Sequence, residues 1–454
     1  MSTDLPNKYF IKNKYNTYHI KSLFITFADN TEYFIFMTNR LFISLLLILQ
    51  SLQAISQIHV TTTGNDGNKG TADSPYLTIQ HAVNVAQPGD TITVHAGRYM
   101  LTKTIRIPEK NTSDSQRCYL WANGEVIIDG SSIKYSNESE FKGGRCIYVS
   151  HLVNYWHFKG LTLCNAIDNG MKLEGSYNII EQCVFHDNND TGLQIGMFMA
   201  WSKNDVPPGF PYGEPLANPD FRFCRGNKVI NCDSYNNADL RKYNGQADNG
   251  GDADGFACKL YPGPGNEYYG CRAWNNSDDN WDLYMVYHPV IIDRCWAYKA
   301  GYTADGKPIG NGNGFKLGGG GSSRGAAFPR STGNHIVSNC ISFDNLVLGF
   351  DQNGASEGMT LINNIAWGNA CNYLFSHPLV KGHIHMQNCM GFKPKEKNYH
   401  ILPDNFIDPM DANGNSWDNN WAERFVSLSP SLFMAPRKTD GSLPDNGFGK
   451  YQLD

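Results

Sequence analysis

The sequence predicts an all-β protein, a solenoid of parallel strands coiled into a β-helix. Three observations predict it: a composition rich in turn formers and aromatics, a repeat of about two dozen residues, and an amphipathic helix placed to cover one open end. Of 454 residues, 45 are Gly, 13% are aromatic and only 18% are charged. Hydrophobic residues make up 41% and the mean hydropathy is −0.42. That balance excludes a disordered chain, a coiled coil and a polytopic membrane protein. Plentiful Gly, Asn and aromatics suit short strands joined by tight turns. The net charge of −5 leaves no basic footprint for nucleic acid. It does not oppose an acidic polymer as ligand, because a bound cation can reverse the local sign.

In chain order, residues 1–36 are polar and aromatic without a period. Signal-peptide anatomy begins at Met37. Arg40 is a short positive region, Leu41–Leu49 is apolar except for Ser44, and small residues suitable for cleavage precede Gln57. The apolar run is too short to span a bilayer. The expected organisation is an upstream extension over 1–36, a signal peptide over 37–57 and one domain over 58–454. The expected destination is the medium, the periplasm or the cell surface, with no stable membrane insertion after signal removal. From Ser74 to Ala86 an amphipathic helix begins near Ser or Thr, and a first strand follows Pro88. Such a helix would cap the open end of a solenoid. This opening looks like that of secreted right-handed parallel β-helix proteins.

The repeat is read from one column: Cys183, Cys232, Cys271, Cys295, Cys340 and Asn364. Three residues later comes His186, Tyr235, Trp274, Tyr298, Phe343 or Trp367. Five residues later comes Asn188, Asn237, Asn276, Asn345 or Asn369. A second block recurs between these, ending at Lys172, Gln194, Ala257, Asp282, Lys316 and Asp351. One repeat is about 24 residues, as from Asp254 to Asp278. Strands at equal offsets stack in parallel at ~4.8 Å. Like residues then form inward ladders of Cys, aromatic and Asn side chains, the Asn amides satisfying buried turn groups. The column cysteines are expected to be small buried hydrophobes rather than disulfides, because stacked turns hold their Cβ vectors parallel.

Four insertions interrupt the period, at about Met197–Phe223, Ala238–Gly251, Ala300–Gly312 and Gly318–Thr332. All are rich in Gly, Pro, Asn or Asp, and they crowd onto the turns that carry Asp254, Asp278–Asp282 and Lys316. Long loops on a regular scaffold usually carry function. The repeat makes Asp254 equivalent to Asp279 and Asp282 equivalent to Lys316, with Asp278 alongside. Four carboxylates this close repel unless something positive lies between them. Oxygen donors without His or Cys suit a hard ion, and Ca²⁺ tolerates many carboxylates in irregular geometry. Lys316 stands in a strand-like segment among apolar residues and Gly. Near a dication and screened from water its pKa is expected to fall, which would let it act as a base. Lys172 occupies the same column without an acid cluster, and Lys259 is a rival two residues off register. A base beside Ca²⁺ suits β-elimination in a uronate polymer: the cation offsets charge on the C6 carboxylate as the C5 proton leaves.

The segments Asp252–Lys259, Gly270–Asp282 and Asn313–Gly319 together resemble polysaccharide lyase family 9, which holds pectate lyases on a right-handed parallel β-helix. The resemblance runs from about Ile58 to the C-terminus. It implies Ca²⁺ held by Asp254, Asp278, Asp279 and Asp282, Lys316 as catalytic base, and pectin, an acidic plant cell-wall polysaccharide, as substrate. The family also includes lyases for rhamnogalacturonan I, an alternative for the same site. Arg324 and Arg330 are candidates to bind substrate carboxylates. The chain is expected to act as a monomer. A pectin hydrolase on the same fold would use clustered Asp residues as acid and base, but no Gly-His-Gly or Arg-x-Lys motif is present and Lys316 would have no role. A non-catalytic glycan-binding β-helix gives no reason for one Lys in register with an Asp cluster.

Overall fold

The structure is a computed structural model that describes residues 57–135, 143–196, 224–241, 249–320, 331–406, 413–425 and 427–445. The signal-peptide expectation, the insertion Met197–Phe223, and both Arg324 and Arg330 lie outside the described residues. No helix among the described residues is long and apolar enough to cross a membrane.

Each coil of the chain contributes strands to three faces, and every pairing between named strands is parallel. In the early coils one long strand crosses the first two faces, as in Thr91–Met100, Cys118–Asp129 and Trp156–Cys164. Later coils divide it, as in Ile179–Glu181 followed by Val184–His186. The third face is a ten-stranded sheet running from Ile105–Ile107 to Lys397–Ile401. This is the parallel β-helix that the repeat predicts. The helix Ile79–Val85 sits at the start, with the Thr78 hydroxyl accepting from the His81 amide and Ile79, Ala82 and Val83 buried. A side-chain acceptor of this kind satisfies a first-turn amide that has no partner inside the helix.

Bends between faces use single residues of positive φ. Gln182, Asn231, Arg294, Asn339 and Asn363 turn the chain from the first face to the second, and Asp187, Asn236, Asn275 and Asp344 turn it out of the second. Asn and Asp dominate because their short polar side chains tolerate the left-handed region. The next residue is the Asn ladder. Asn188 Nδ2 donates to Asn237 Oδ1, Asn237 to Asn276, and Asn345 to Asn369, each at 2.9 Å. Where Ala300 takes the ladder position, Asn280 enters from the third face and bridges Asn276 to Asn345.

All twelve cysteines are free and buried. The column thiols also accept main-chain hydrogen bonds: the Cys183 amide donates to Cys232 Sγ and the Cys232 amide to Cys271 Sγ, both at 3.4 Å.

The aromatic column corrects the sequence reading. It faces outward, not into the solenoid. In Val184–His186 the inward residue is Phe185, and strand alternation turns His186 out. The stack from His186 through Tyr235, Trp274, Tyr298, Phe343 and Trp367 to Phe392 therefore lies on the second face, with neighbouring ring centroids 4.4–5.7 Å apart. From Tyr298 onward it is buried because the C-terminal segment lies over it. The Phe433 ring meets Trp296, Tyr298, Phe343 and Trp367.

Candidate active site

The third face positions the site by alternation. Phe256, Trp281, Phe315, Phe350 and Tyr373 point inward as a stack with centroids 4.8–5.0 Å apart. Their neighbours in sequence must then point outward. The pairing register runs Lys172, Gln194, Ala257, Asp282, Lys316, Asp351. Asp282 and Lys316 are thus adjacent rungs, as the repeat predicts. Three residues upstream of Ala257 and Asp282, Asp254 and Asp279 form a second pair of neighbours.

Main-chain donors hold the turn that bears these acids. The Asp279 amide donates to Asp254 Oδ1 at 3.3 Å, the Asn313 amide to Asp279 Oδ1 at 3.0 Å, and the Asn311 amide to Asp278 Oδ1 at 3.0 Å. The insertion Ala300–Gly312 supplies that last bond by folding down onto the turn. Gly310 makes the approach possible: it has φ +68, and a Cβ there would lie 2.0 Å from the Ser277 carbonyl oxygen. From the insertion after Ala238, Asp239 accepts from the Asp252 and Ala253 amides and from the Ser277 hydroxyl. The sequence reading missed this anchor, which has no place in the repeat.

Asp254, Asp279 and Asp282 are buried and offer oxygens within 4.8 Å of one another. Asp278, the fourth expected ligand, is buried beside them but outside that group. Lys316 Nζ lies 2.9 Å from Asp279 Oδ2 and 3.4 Å from Asp282 Oδ1. Apart from these ion pairs, those two oxygens receive no hydrogen bond. Lys316 also lines a cavity of about 540 Å³ with Tyr284, Asn311, Asn313, Asn353 and His377. The Asn313 Oδ1 atom is buried without a hydrogen bond among the described residues.

Lys259 belongs to the cluster as well, its Nζ 2.6 Å from Asp254 Oδ2 and 3.2 Å from Asp282 Oδ2. The repeat puts it two residues off register, as a weaker rival to Lys316. A shift of two preserves the face of a strand, and the long side chain spans the remaining distance, so the alternation Phe256, Ala257, Cys258, Lys259 was the available signal.

The electrostatics follow from burial. Burial raises Asp254 to about 8, against Lys259, and Asp282 and Asp279 add to the rise. Burial and the neighbouring carboxylates also raise Asp278. Asp279 rises for the same reason, against the pull of Lys316. The lowered pKa expected for Lys316 presumes a dication in the pocket, and with the carboxylates alone the direction is upward. Burial works against its charge, but Asp279, Asp282, Asp278 and Asp254 together raise its pKa well above the usual value. With no cation in the pocket, an amine facing four carboxylates keeps its proton. Asp351, the next rung, is raised to about 7 by burial.

A family described as "Pel9A-like, right handed beta helix region" matches residues 58–395. The chain belongs to this family of polysaccharide lyases. Pectate lyase L of Dickeya dadantii is 33% identical over 400 residues, covering 85% of this chain and 81% of that protein. Pectate lyase PEL9 of Emericella nidulans is 31% identical over 422 residues, covering 87% and 92%. The crystal structure of pectate lyase Pel9A superposes with a TM-score of 0.67 at 30% identity, covering 88% of this chain and 91% of that one. The family match carries the right-handed β-helix and the enzyme class. A rhamnogalacturonan lyase at 23% identity, with a TM-score of 0.69, shares the fold.

Proposed function

We propose that the protein cleaves a pectic uronate polymer, polygalacturonate first among them, by β-elimination, with calcium held in the carboxylate pocket. The observation that carries this reading is the group formed by Asp254, Asp279 and Asp282 with Lys316 beside it at the edge of a cavity. The relatives named pectate lyase support the substrate class.

The pocket fits a hard cation on its own chemistry. Its donors are carboxylate oxygens, two of them without hydrogen bonds, and neither thiol nor imidazole joins the group. Asp254, Asp279 and Asp282 would hold the ion, with Asp278 adjacent to complete the shell. When bound, calcium would offset the carboxylate charge of the pocket and of the substrate C6 group.

The remaining work falls to the chain's own residues. Asp279 and Asp282 orient the Lys316 amine toward the cavity. The neutral form of the Lys316 amine, favoured when a bound cation rather than the ammonium offsets the four carboxylates, accepts the C5 proton, the C5–H electron pair forms the C4–C5 double bond, and the C4–O4 bond breaks. The leaving O4 takes up a proton, so the products are one new reducing-end fragment and one unsaturated non-reducing end. No water nucleophile enters.

The test is incubation with polygalacturonate while absorbance near the ultraviolet edge reports unsaturated product, with and without chelator. Chelator-sensitive unsaturated ends are expected. Reducing ends without unsaturation would mean hydrolysis instead. Lys316→Ala is expected to lower kcat by at least about 10²-fold, with calcium binding retained by calorimetry. Retained turnover in that variant would end its role as base.

A further inference from the structure

The row that carries Lys316 continues toward the N-terminus to Lys172, four pairing steps away. At ~4.8 Å per step this is about 19 Å along the same face. Met171 and Leu173 on either side are buried in the solenoid core, so Lys172 points outward with the row. It is nonetheless only 5% exposed. Among the described residues its Nζ makes no hydrogen bond and no ion pair, and the nearby carboxylates bond other groups. Glu174 Oε2 accepts from the Tyr148 hydroxyl at 2.7 Å. Asp168 Oδ2 pairs with Arg145 at 3.1 Å and accepts from the Gly144 amide at 3.3 Å. Burial lowers Lys172 to about 8, and the charge of Arg145 adds to the lowering against the pull of Glu174. A buried ammonium with neither a hydrogen bond nor a close ion pair is costly and calls for an anion.

We propose that Lys172, with Arg145 beside it, is a remote subsite that receives one carboxylate of a uronate polymer lying along the third face. The inference rests on the uronate reading of the Lys316 site and extends it. A polyanion with a carboxylate on every sugar, engaged at Lys316, carries further carboxylates along the row. One of them meets the unpartnered ammonium in a site of low dielectric, where a charge-assisted hydrogen bond is strong. The subsite contributes binding only to substrates long enough to span about 19 Å, so it acts on chain-length preference and not on the chemical step.

The test compares the wild-type protein with Lys172→Met and Lys172→Arg on polygalacturonate and on di- and trigalacturonate. For Lys172→Met the expected result is a KM for polymer raised roughly tenfold or more, with kcat and the short-substrate kinetics unchanged. Lys172→Arg is expected to recover most of the polymer KM. The thermal midpoint of Lys172→Met should not fall, since the substitution removes an unpaired buried charge. An unchanged polymer KM would overturn the proposal. A fall in kcat on all substrates, or a lowered midpoint, would overturn it too by marking a structural role. If the wild-type protein produced no unsaturated ends, the lyase reading would fail. Calorimetric titration with a long oligogalacturonate would still decide the subsite: weaker binding by Lys172→Met sustains it, and equal or absent binding rejects it.

Discussion

Lys259 and Lys316 divide the buried carboxylates between them, Lys259 on Asp254 and Asp282, Lys316 on Asp279 and Asp282. Only Lys316 also lines the cavity. Burial opposes the Lys259 charge, yet Asp254, Asp282 and Asp190 raise its pKa well above the usual value. It therefore acts as an internal cation for the same oxygens that calcium would take. Lys259→Met is expected to have two opposite effects. Without metal, stability should fall by about 3 kcal/mol, because breaking a buried ion pair strands its partner. Calcium affinity should rise about tenfold as a competing charge is removed. Denaturant melts with chelator measure the first and calorimetry the second. Weaker calcium binding would mean that Lys259 supports the pocket instead of competing for it.

Along the elements, ladders of one residue type do the work of turns. Asn178, Asn227 and Asn266 form one such ladder at the entry to the first face, each Nδ2 meeting the next Oδ1 at 3.3 Å and then 3.0 Å. It ends where Val290 takes the position, and there the Val290 amide donates to His335 Nδ1 at 3.2 Å. Burial lowers His335 to about 3 from an ordinary value of 6.5. The histidine is neutral when folded, while the unfolded chain takes up a proton below about pH 6.5. Stability is therefore fully present above that pH and is lost as pH falls toward 3, by up to about 1.4 kcal/mol per pH unit. His335→Asn, which keeps an acceptor of the ladder type, is expected to flatten that slope. Unfolding measured across pH 3 to 7 tests it, and an unchanged slope would assign the acid sensitivity to other groups.

For the whole molecule, the C-terminal segment fastens the coils laterally. Arg272 and Arg437 both pair with Asp233, and Arg272 Nη1 also donates to the Phe433 and Ala435 carbonyls at 2.8 Å. The segment therefore spans several coils at once, where strand pairing joins only neighbours. Phe433 is fully buried against the aromatic stack of the second face. Phe433→Ala is expected to cost about 3–5 kcal/mol. It should leave kcat unaltered, because the site lies on the third face. Chemical denaturation and the unsaturation assay read the two quantities, and a stability loss below about 1 kcal/mol would show that the segment is not a fastener.

Much of this architecture is legible in the sequence. In a parallel in-register solenoid, sequence offset is spatial position, so the spacing from Asp254 to Asp279 and from Asp282 to Lys316 already stated which side chains would be neighbours. Other features needed the folded chain. Whether the aromatic column faced in or out depended on the strand residue at which alternation begins, and a covering segment far along the chain buried it where it stood. Asp278 lies outside the closest carboxylate group and accepts from the Asn311 amide of a folded insertion, neither of which the repeat specifies. Lys259 entered the pocket because a flexible side chain crosses registers that the repeat keeps apart. The pKa of Lys316 in the cation-free pocket likewise depends on burial and on the number of facing carboxylates. A linear sequence fixes neither desolvation nor side-chain reach, because both depend on everything that packs around the group.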